Sequence, residues 1–425
     1  MSLQAYIGPV IALAFTCGLI LWLSPVARAV GLVDIPSARK THTGKVPLIG
    51  GLAIFTAVFV AMIVSDFVRP DDLVPENFGA FYLAGMFLVM AGMVDDFMDL
   101  SPLKKLLAQS VAALTMIFGA HIMLGDLGAL GNKGDILALG FLAVPFTVVA
   151  TIGVINAVNM SDGLDGLAGS LALVSLLGFM VATAAFGNGQ DSRHLAILAA
   201  AVIGFLLFNF RFRGRRSAGV FLGDSGSMFL GFTLAWFAVK FSQGEDRVIA
   251  PAAALWFLIV PLFDAVAMTV RRILNRKPPF GADREHLHHI FLLAGFTVSE
   301  TVAIMAGIAA LGVSVGLAGT YFQVADYIMA SAFVALGLLY LWMIMHSWSV
   351  MRFLRYSICR RHSDRDRRVI MDRRSHSNVV YLGSERRSGL DRRGDPRRSE
   401  DNPEVAGQKE PKNQSIASFQ GLGVA

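Results

Sequence analysis

Charged side chains are scarce in this chain. Only 16% of its 425 residues are Asp, Glu, Lys or Arg, against roughly a quarter in an ordinary soluble domain. With 55% hydrophobic residues and a mean hydropathy of +0.58, that shortage excludes a soluble globular protein. Cysteine is nearly absent too. Cys17 stands in the first apolar run and Cys359 near the C-terminus, so there is no disulfide framework to read and little to learn about redox compartment. The first apolar run lacks a basic leader and a small-residue cleavage site, and is expected to stay as a helix and not to be removed as a signal peptide.

The net charge of +6 is unevenly placed. Residues 1–350 carry 20 Lys and Arg against 21 Asp and Glu, whereas 351–425 carry 17 against 10. The basic excess belongs to one appended segment and is no signature of nucleic-acid binding. That segment repeats Asp-Arg-Arg or Glu-Arg-Arg at 372–374, 385–387 and 391–393. It has too little apolar content for a core and is expected to be a disordered, basic tail, solvated beside anionic lipid headgroups. A regulatory or partner-binding role is the alternative.

What remains is apolar. A membrane-crossing helix needs about 20 mostly apolar residues, and eleven stretches qualify: 5–25, 48–65, 78–94, 104–124, 136–157, 167–186, 193–209, 226–242, 249–269, 298–319 and 326–348. The expected fold is an all-α, polytopic integral membrane protein, with a multi-span domain over 1–350 and the tail over 351–425. Pro145, Pro251 and Pro261 fall within or near spans and are expected to kink them. Basic residues crowd alternate loops, around Arg39 and Lys40, Lys104 and Lys105, Arg211 to Arg216, and Arg271 to Arg284. By the positive-inside rule these loops are cytoplasmic, which puts the N-terminus outside and the C-terminus inside.

The polar clusters fall in the same loops, which the charge rule did not require. Asp95, Asp96 and Asp99 follow one span. They suit a cation or shifted carboxyl groups, or else cap the next helix. Asn156 to Asp165 supplies amide and carboxylate oxygens that suit Mg²⁺. If its helix continues, Asn159, Asp162 and Asp165 share a face; capping and a glycine turn are the plainer reading. Phe221 to Ser227 reads as a glycine turn opening a helix, favourable for phosphate if a cation bridges Asp224 to it. Arg284, His286, His288 and His289 suit an anionic substrate better than zinc, since thiolates are lacking; a solvated basic loop is the alternative. Asp264 lies about 10 Å inside its span at 1.5 Å per residue, where a carboxylate is either functional or bonded to a neighbouring helix.

Taken in order, Lys45 to Gly51, Asp95-Asp96 with Asp99, Asn156 to Asp165, Phe221 to Ser227, and His286-Leu287-His288-His289 resemble the polyprenyl-phosphate N-acetylhexosamine-1-phosphate transferase superfamily. Within it the chain looks most like the bacterial undecaprenyl-phosphate N-acetylglucosaminyl-1-phosphate transferases, which initiate O-antigen, enterobacterial common antigen or teichoic acid assembly. The resemblance covers roughly 1–350 and not the tail. It implies UDP-GlcNAc and undecaprenyl phosphate as substrates, UMP as a product, Mg²⁺ as cofactor with Mn²⁺ able to substitute, and a site on the cytoplasmic face of the bacterial inner membrane. It implies Asp95, Asp96 and Asp162 as catalytic groups and Asp224 with Asn159 as metal ligands. Nucleotide-sugar contacts would come from Lys45, Asp165, Asn209, Phe221, Arg284, His286, His288 and His289, with Phe221 stacked on uracil. Direct attack by the lipid phosphate needs fewer steps than a covalent aspartyl intermediate. The nearest rival is the phospho-MurNAc-pentapeptide transferase of the same superfamily, which resembles a contiguous histidine run where this chain has Leu287. An ion-coupled transporter would place acids near the midplane and show internal repeats; here the acids lie mostly at one face and no repeat is evident. Partners are membrane lipid and the two substrates, no nucleic acid, with oligomer formation left open.

Overall fold

The computed structural model describes residues 6–35, 44–68, 78–131, 135–187, 189, 191–211, 217–276 and 286–346. They form a helical bundle: α1 (Ile7–Val30), α2 (Gly50–Val68), α3 (Phe78–Met98), α4 (Pro102–Ala120), α5 (Ala143–Ser161), α6 (Leu167–Phe186), α7 (Ser192–Asn209), α8 (Gly223–Ser242), α9 (Pro251–Trp256), α10 (Ile259–Leu274), α11 (Leu287–Ala294), α12 (Val298–Tyr321) and α13 (Asp326–Met345). The strands among the described residues are two-residue β1 (Val33–Asp34) and β2 (Val46–Pro47), paired antiparallel. All described residues belong to one compact unit, Met1–Arg365. Arg284 and the tail lie outside the described residues.

Each of the eleven apolar stretches is helical over most of its described residues. Among the described residues, nine helices are long and apolar enough to cross a membrane: α1 to α7, α12 and α13. The protein is therefore a polytopic helical membrane protein. The other two stretches differ for physical reasons. Helix α8 opens on Gly-Asp-Ser-Gly-Ser and ends near Lys240, and seventeen of its twenty residues are buried. A helix enclosed by protein does not need an apolar surface for lipid. The stretch at 249–269 is broken into α9 and α10. Pro261 has no N–H to offer the carbonyl of Phe257 four residues back, and the hydroxyl of Ser175 on α6 donates to that carbonyl at 2.6 Å. A neighbouring helix thus satisfies the freed group, as membrane interiors require.

Helices α2, α3, α5, α6 and α9 pack around α8. Lipid tails are as apolar as leucine, so close packing has to hold the helices together. At one end of α8 the contact is aromatic: Phe55 meets Phe229 edge-on at 5.3 Å between ring centroids, and Phe81 meets Trp236 at 5.2 Å. At the other end it is backbone on backbone. A Cβ at Gly51 would collide with Gly226, and one at Gly92 with Ser225. These two glycines bring α2 and α3 directly onto the first turn of α8.

Candidate active site

The first turn of α8 is held from two sides. The amides of Gly50 and Gly51, at the start of α2, each donate at 3.0 Å to the carbonyls of Phe221 and Leu222. Beside them Leu48 and Phe221 form a parallel bridge. The unsatisfied first amides of α2 thus anchor the segment that leads into α8. From α3, the carboxylate of Asp96 accepts from the amides of Asp224 at 2.8 Å and Ser225 at 3.4 Å. It caps α8 from outside the helix and sits at the positive end of its dipole.

Asp224 then faces a cluster of donors. Asn159 donates its side-chain amide to Asp224 Oδ1 at 2.7 Å and to Ser227 Oγ at 2.8 Å. Lys105, one turn into α4, places its ammonium 3.0 Å from Asp224 Oδ2 and against Asp95 Oδ2. Asp95 is 2% exposed, and its other oxygen accepts from the Leu100 amide at 2.7 Å. Two carboxylates from different helices therefore converge on one cation. Deeper in, Gln109 of α4 and Asn156 of α5 exchange side-chain amide hydrogen bonds of 2.8 and 3.3 Å. Asp99 stands past the end of α3 with φ +49° and is exposed, so of the three acids only Asp95 and Asp96 enter the centre.

Helix α5 does not continue through the central stretch. It stops at Ser161 with Asp162 as its C-cap, and α6 starts behind Gly166, whose φ is +85°. Asn159, Asp162 and Asp165 therefore do not form one helical face. Burial, and then the charges of Asp224, Asp96 and Asp165, push the Asp162 carboxyl up to about 8. Asp165 turns away to accept from Arg211 Nε at 2.7 Å and the Ala218 amide at 3.1 Å. Asn209 is engaged by backbone on both sides: its oxygen accepts from the Gly166 amide at 2.6 Å and its nitrogen donates to the Val220 carbonyl at 2.8 Å. Both residues tie the turn at 165–166 to residues 209–211 and 218–220 in this structure. Phe221 is half-buried next to the bridge, and Lys45 is exposed.

The third wall comes from α10 and α11. His286 is the N-cap of α11, and its Nδ1 lies 2.8 Å from Asp264 Oδ2. His288 is 1% exposed, packs on the bare face of Gly163, and has neither ring nitrogen hydrogen-bonded. Burial, and then the nearby His289, hold the His288 imidazole down at about 3, so it is neutral at physiological pH.

These elements enclose a cavity of about 730 Å³. It is lined by the polar side chains of Lys105, Asn159, Asp162, Arg272, His286, His288 and His289 together with the apolar ones of Leu106, Val149, Ile152, Leu262, Val266 and Val270. The structure thus gathers Asn159, Asp162 and the three histidines around one space. Asp95 and Asp224 adjoin it through Lys105 and Asn159, and Asp96 through the Asp224 amide, whereas Lys45, Asp165, Asn209 and Phe221 do not line it. Sequence reasoning missed Lys105, read only as a topology marker, and also Gln109 and Arg272. A lysine one turn after an acid-rich helix end was the available signal for Lys105. Gln109 left none, because its partner lies 47 residues away.

Among the described residues no three His, Cys, Asp or Glu side chains stand ready as a closed metal site. The donor set still suits a hard cation, since Asp224 and Asp95 already share a positive charge. Asn159 presents its nitrogen to Asp224, and would have to turn its amide to offer the oxygen.

Known proteins are similar to this chain in sequence. The sequence model of glycosyl transferase family 4 matches residues 78–242. A protein of Salmonella typhi named undecaprenyl-phosphate alpha-N-acetylglucosaminyl 1-phosphate transferase is 34% identical over 346 residues, 80% of this chain and 91% of its own length. Proteins of the same name are 33% identical over 345 residues in Escherichia coli (strain K12), at 80% and 91% coverage, and 34% identical over 337 residues in Haemophilus influenzae, at 78% and 92%.

Proposed function

This chain belongs to glycosyl transferase family 4, among the undecaprenyl-phosphate alpha-N-acetylglucosaminyl 1-phosphate transferases, and we propose that it performs their reaction. It transfers GlcNAc-1-phosphate from UDP-GlcNAc to undecaprenyl phosphate, giving undecaprenyl-diphosphate-GlcNAc and UMP, and so starts a cell-envelope polysaccharide such as O-antigen. The observation that carries this is the cavity, whose lining combines charged and hydrogen-bonding side chains with apolar ones. One substrate is a water-soluble diphosphate and the other a lipid monophosphate, and such a space can meet both. The positive-inside distribution supports a site at the cytoplasmic face of the inner membrane.

In this reading an oxygen of the lipid phosphate bonds to the sugar-bearing phosphorus. The bond from that phosphorus to the bridging oxygen breaks, and UMP leaves with the bonding electrons. Such a transfer depends mostly on positioning and on neutralising charge. Lys105 and Arg272 supply fixed positive charge to the cavity lining. Asp162, whose carboxyl is pushed up chiefly by burial, can hold a proton and donate it as a hydrogen bond to a phosphate oxygen. His288, neutral and desolvated, can donate through one ring nitrogen without carrying charge. Mg²⁺, held by Asp224 with Asn159, would neutralise the diphosphate and the departing UMP. Asp95 and Asp96 set the position of Lys105 and of the α8 first turn.

The test is UMP release from a panel of UDP-sugars, using membranes containing the protein, undecaprenyl phosphate and Mg²⁺. Release with UDP-GlcNAc that requires both lipid and metal supports the reading. No release from any UDP-sugar by folded protein overturns it.

A further inference from the structure

Asp264 is an intramembrane acid that the transferase motifs leave unassigned, and it is fully engaged. Buried at 2% exposure, it takes three hydrogen bonds. His286 Nδ1 lies 2.8 Å from Oδ2, the Leu287 amide donates to Oδ1 at 3.0 Å, and the Tyr340 hydroxyl donates to Oδ1 at 2.9 Å. His286 lines the cavity and Asp264 and Tyr340 do not. Tyr340 lies on α13, a helix otherwise exposed along most of its length, with Met329 and Ile344 its buried residues. Its ring packs on Phe263 at 5.8 Å between centroids, and Phe263 on Phe333 of α13 at 4.7 Å.

We propose that Tyr340 and Asp264 are positioning residues for His286, so that the last described helix takes part in presenting the substrate-facing imidazole. The proposal rests on the transferase reading of the cavity. A carboxylate on Nδ1 holds the proton there and fixes the ring plane, which turns Nε2 towards the cavity. The Leu287 bond ties the start of α11 to the same carboxylate, so the ring and the helix that carries it share one anchor. Tyr340 in turn fixes the carboxylate oxygen that His286 does not use. Without its hydroxyl, Asp264 can rotate and the imidazole loses a defined direction. The arrangement holds a hydrogen-bonding group in place and moves no proton.

A double-mutant cycle on the full-length protein tests this. Tyr340→Phe keeps the ring packing on Phe263 and removes only the hydroxyl. It is expected to lower kcat by about 3- to 10-fold, the size of one hydrogen bond, with a smaller change in KM for UDP-GlcNAc. Asp264→Asn should cost more, because its amide has one acceptor oxygen for three donors and loses the charge that holds the proton on Nδ1. In a His286→Gln background, Tyr340→Phe should have no further effect. The same fold-loss in both backgrounds would make Tyr340 merely structural and overturn the proposal, as would an unchanged rate for Tyr340→Phe. A second measurement does not depend on turnover: ¹⁵N NMR of ring-labelled histidine, with His286 assigned by its loss in His286→Gln. A proton on Nδ1 in the wild type that becomes less localised in Tyr340→Phe and Asp264→Asn supports the relay. Unchanged His286 nitrogen shifts in both variants overturn it. If the wild-type protein released no UMP, the transferase reading would fail, while the NMR result would still decide the arrangement.

Discussion

Lys105 shows how much one side chain can do in a space with few charges. It bridges two carboxylates, from α3 and α8, and offsets their repulsion. In the proposed reaction it also touches the proposed metal ligand Asp224. Lys105→Ala is expected to lower kcat by about 10²-fold, as for loss of one preorganised charge-stabilising group, and steady-state UMP release measures it. His288 gives a prediction of opposite character, on stability. Its folded imidazole titrates at about 3, against about 6.5 in an unfolded chain. Between those values the unfolded state binds a proton that the folded state refuses, so this residue makes stability fall as pH drops from about 6.5 towards 3. His288→Asn should flatten that acid-side loss in thermal unfolding of the solubilised protein; an unchanged slope would mean the burial was misjudged. Oxygen donors and histidines were legible as chemistry because such groups are rare in a chain with 16% charged residues. Their partners were not legible. Asp165 and Asn209 carry the same oxygens as Asn159, and only the fold reveals that they brace backbone.

Helix α8 carries the arrangement at the next scale. Its first turn receives Asp96 from α3, the α2 amides through residues 221–222, and the glycine faces of both helices. Gly92→Ala puts a methyl group against the backbone of Ser225, which cannot move aside as a flexible side chain would. A loss of about 1–3 kcal/mol is expected from overpacking. It would appear as a lower midpoint of thermal unfolding together with lost turnover, because the turn that moves carries Asp224. Full stability with full activity would contradict the close contact. That this stretch is helical was readable from its length and apolar run. Its central place was not, since an enclosed helix and a lipid-facing one read alike along the sequence. The break between α9 and α10 was foreshadowed by Pro261, whereas the compensating hydroxyl of Ser175 could be found only in three dimensions. The end of α5 at Ser161 was similarly hidden: the glycines that stop it also fit a helix coming close to a ligand.

At the scale of the molecule, all the chemistry gathers at one end of the bundle, from the ends of α3, α5 and α10 and the starts of α4, α8 and α11. The sequence already sorted these clusters into one set of loops, and the fold brings them to a common cavity. Every group lining that cavity precedes residue 290, and Tyr340 is the last that touches it indirectly. Removing 351–425 is therefore expected to leave kcat within about 2-fold in inserted protein, since every hydrogen-bonded group of the site among the described residues is kept; UMP release by the truncated protein checks this. The central claim is that phosphorus and sugar move together. Purified protein in liposomes with undecaprenyl phosphate and Mg²⁺ should be given UDP-GlcNAc labelled with ¹⁴C in the sugar and ³²P in the sugar-bearing phosphate. The account predicts that both labels reach the lipid in equal molar amounts, with unlabelled UMP released. Transfer of ¹⁴C without ³²P, or of neither label, would contradict it.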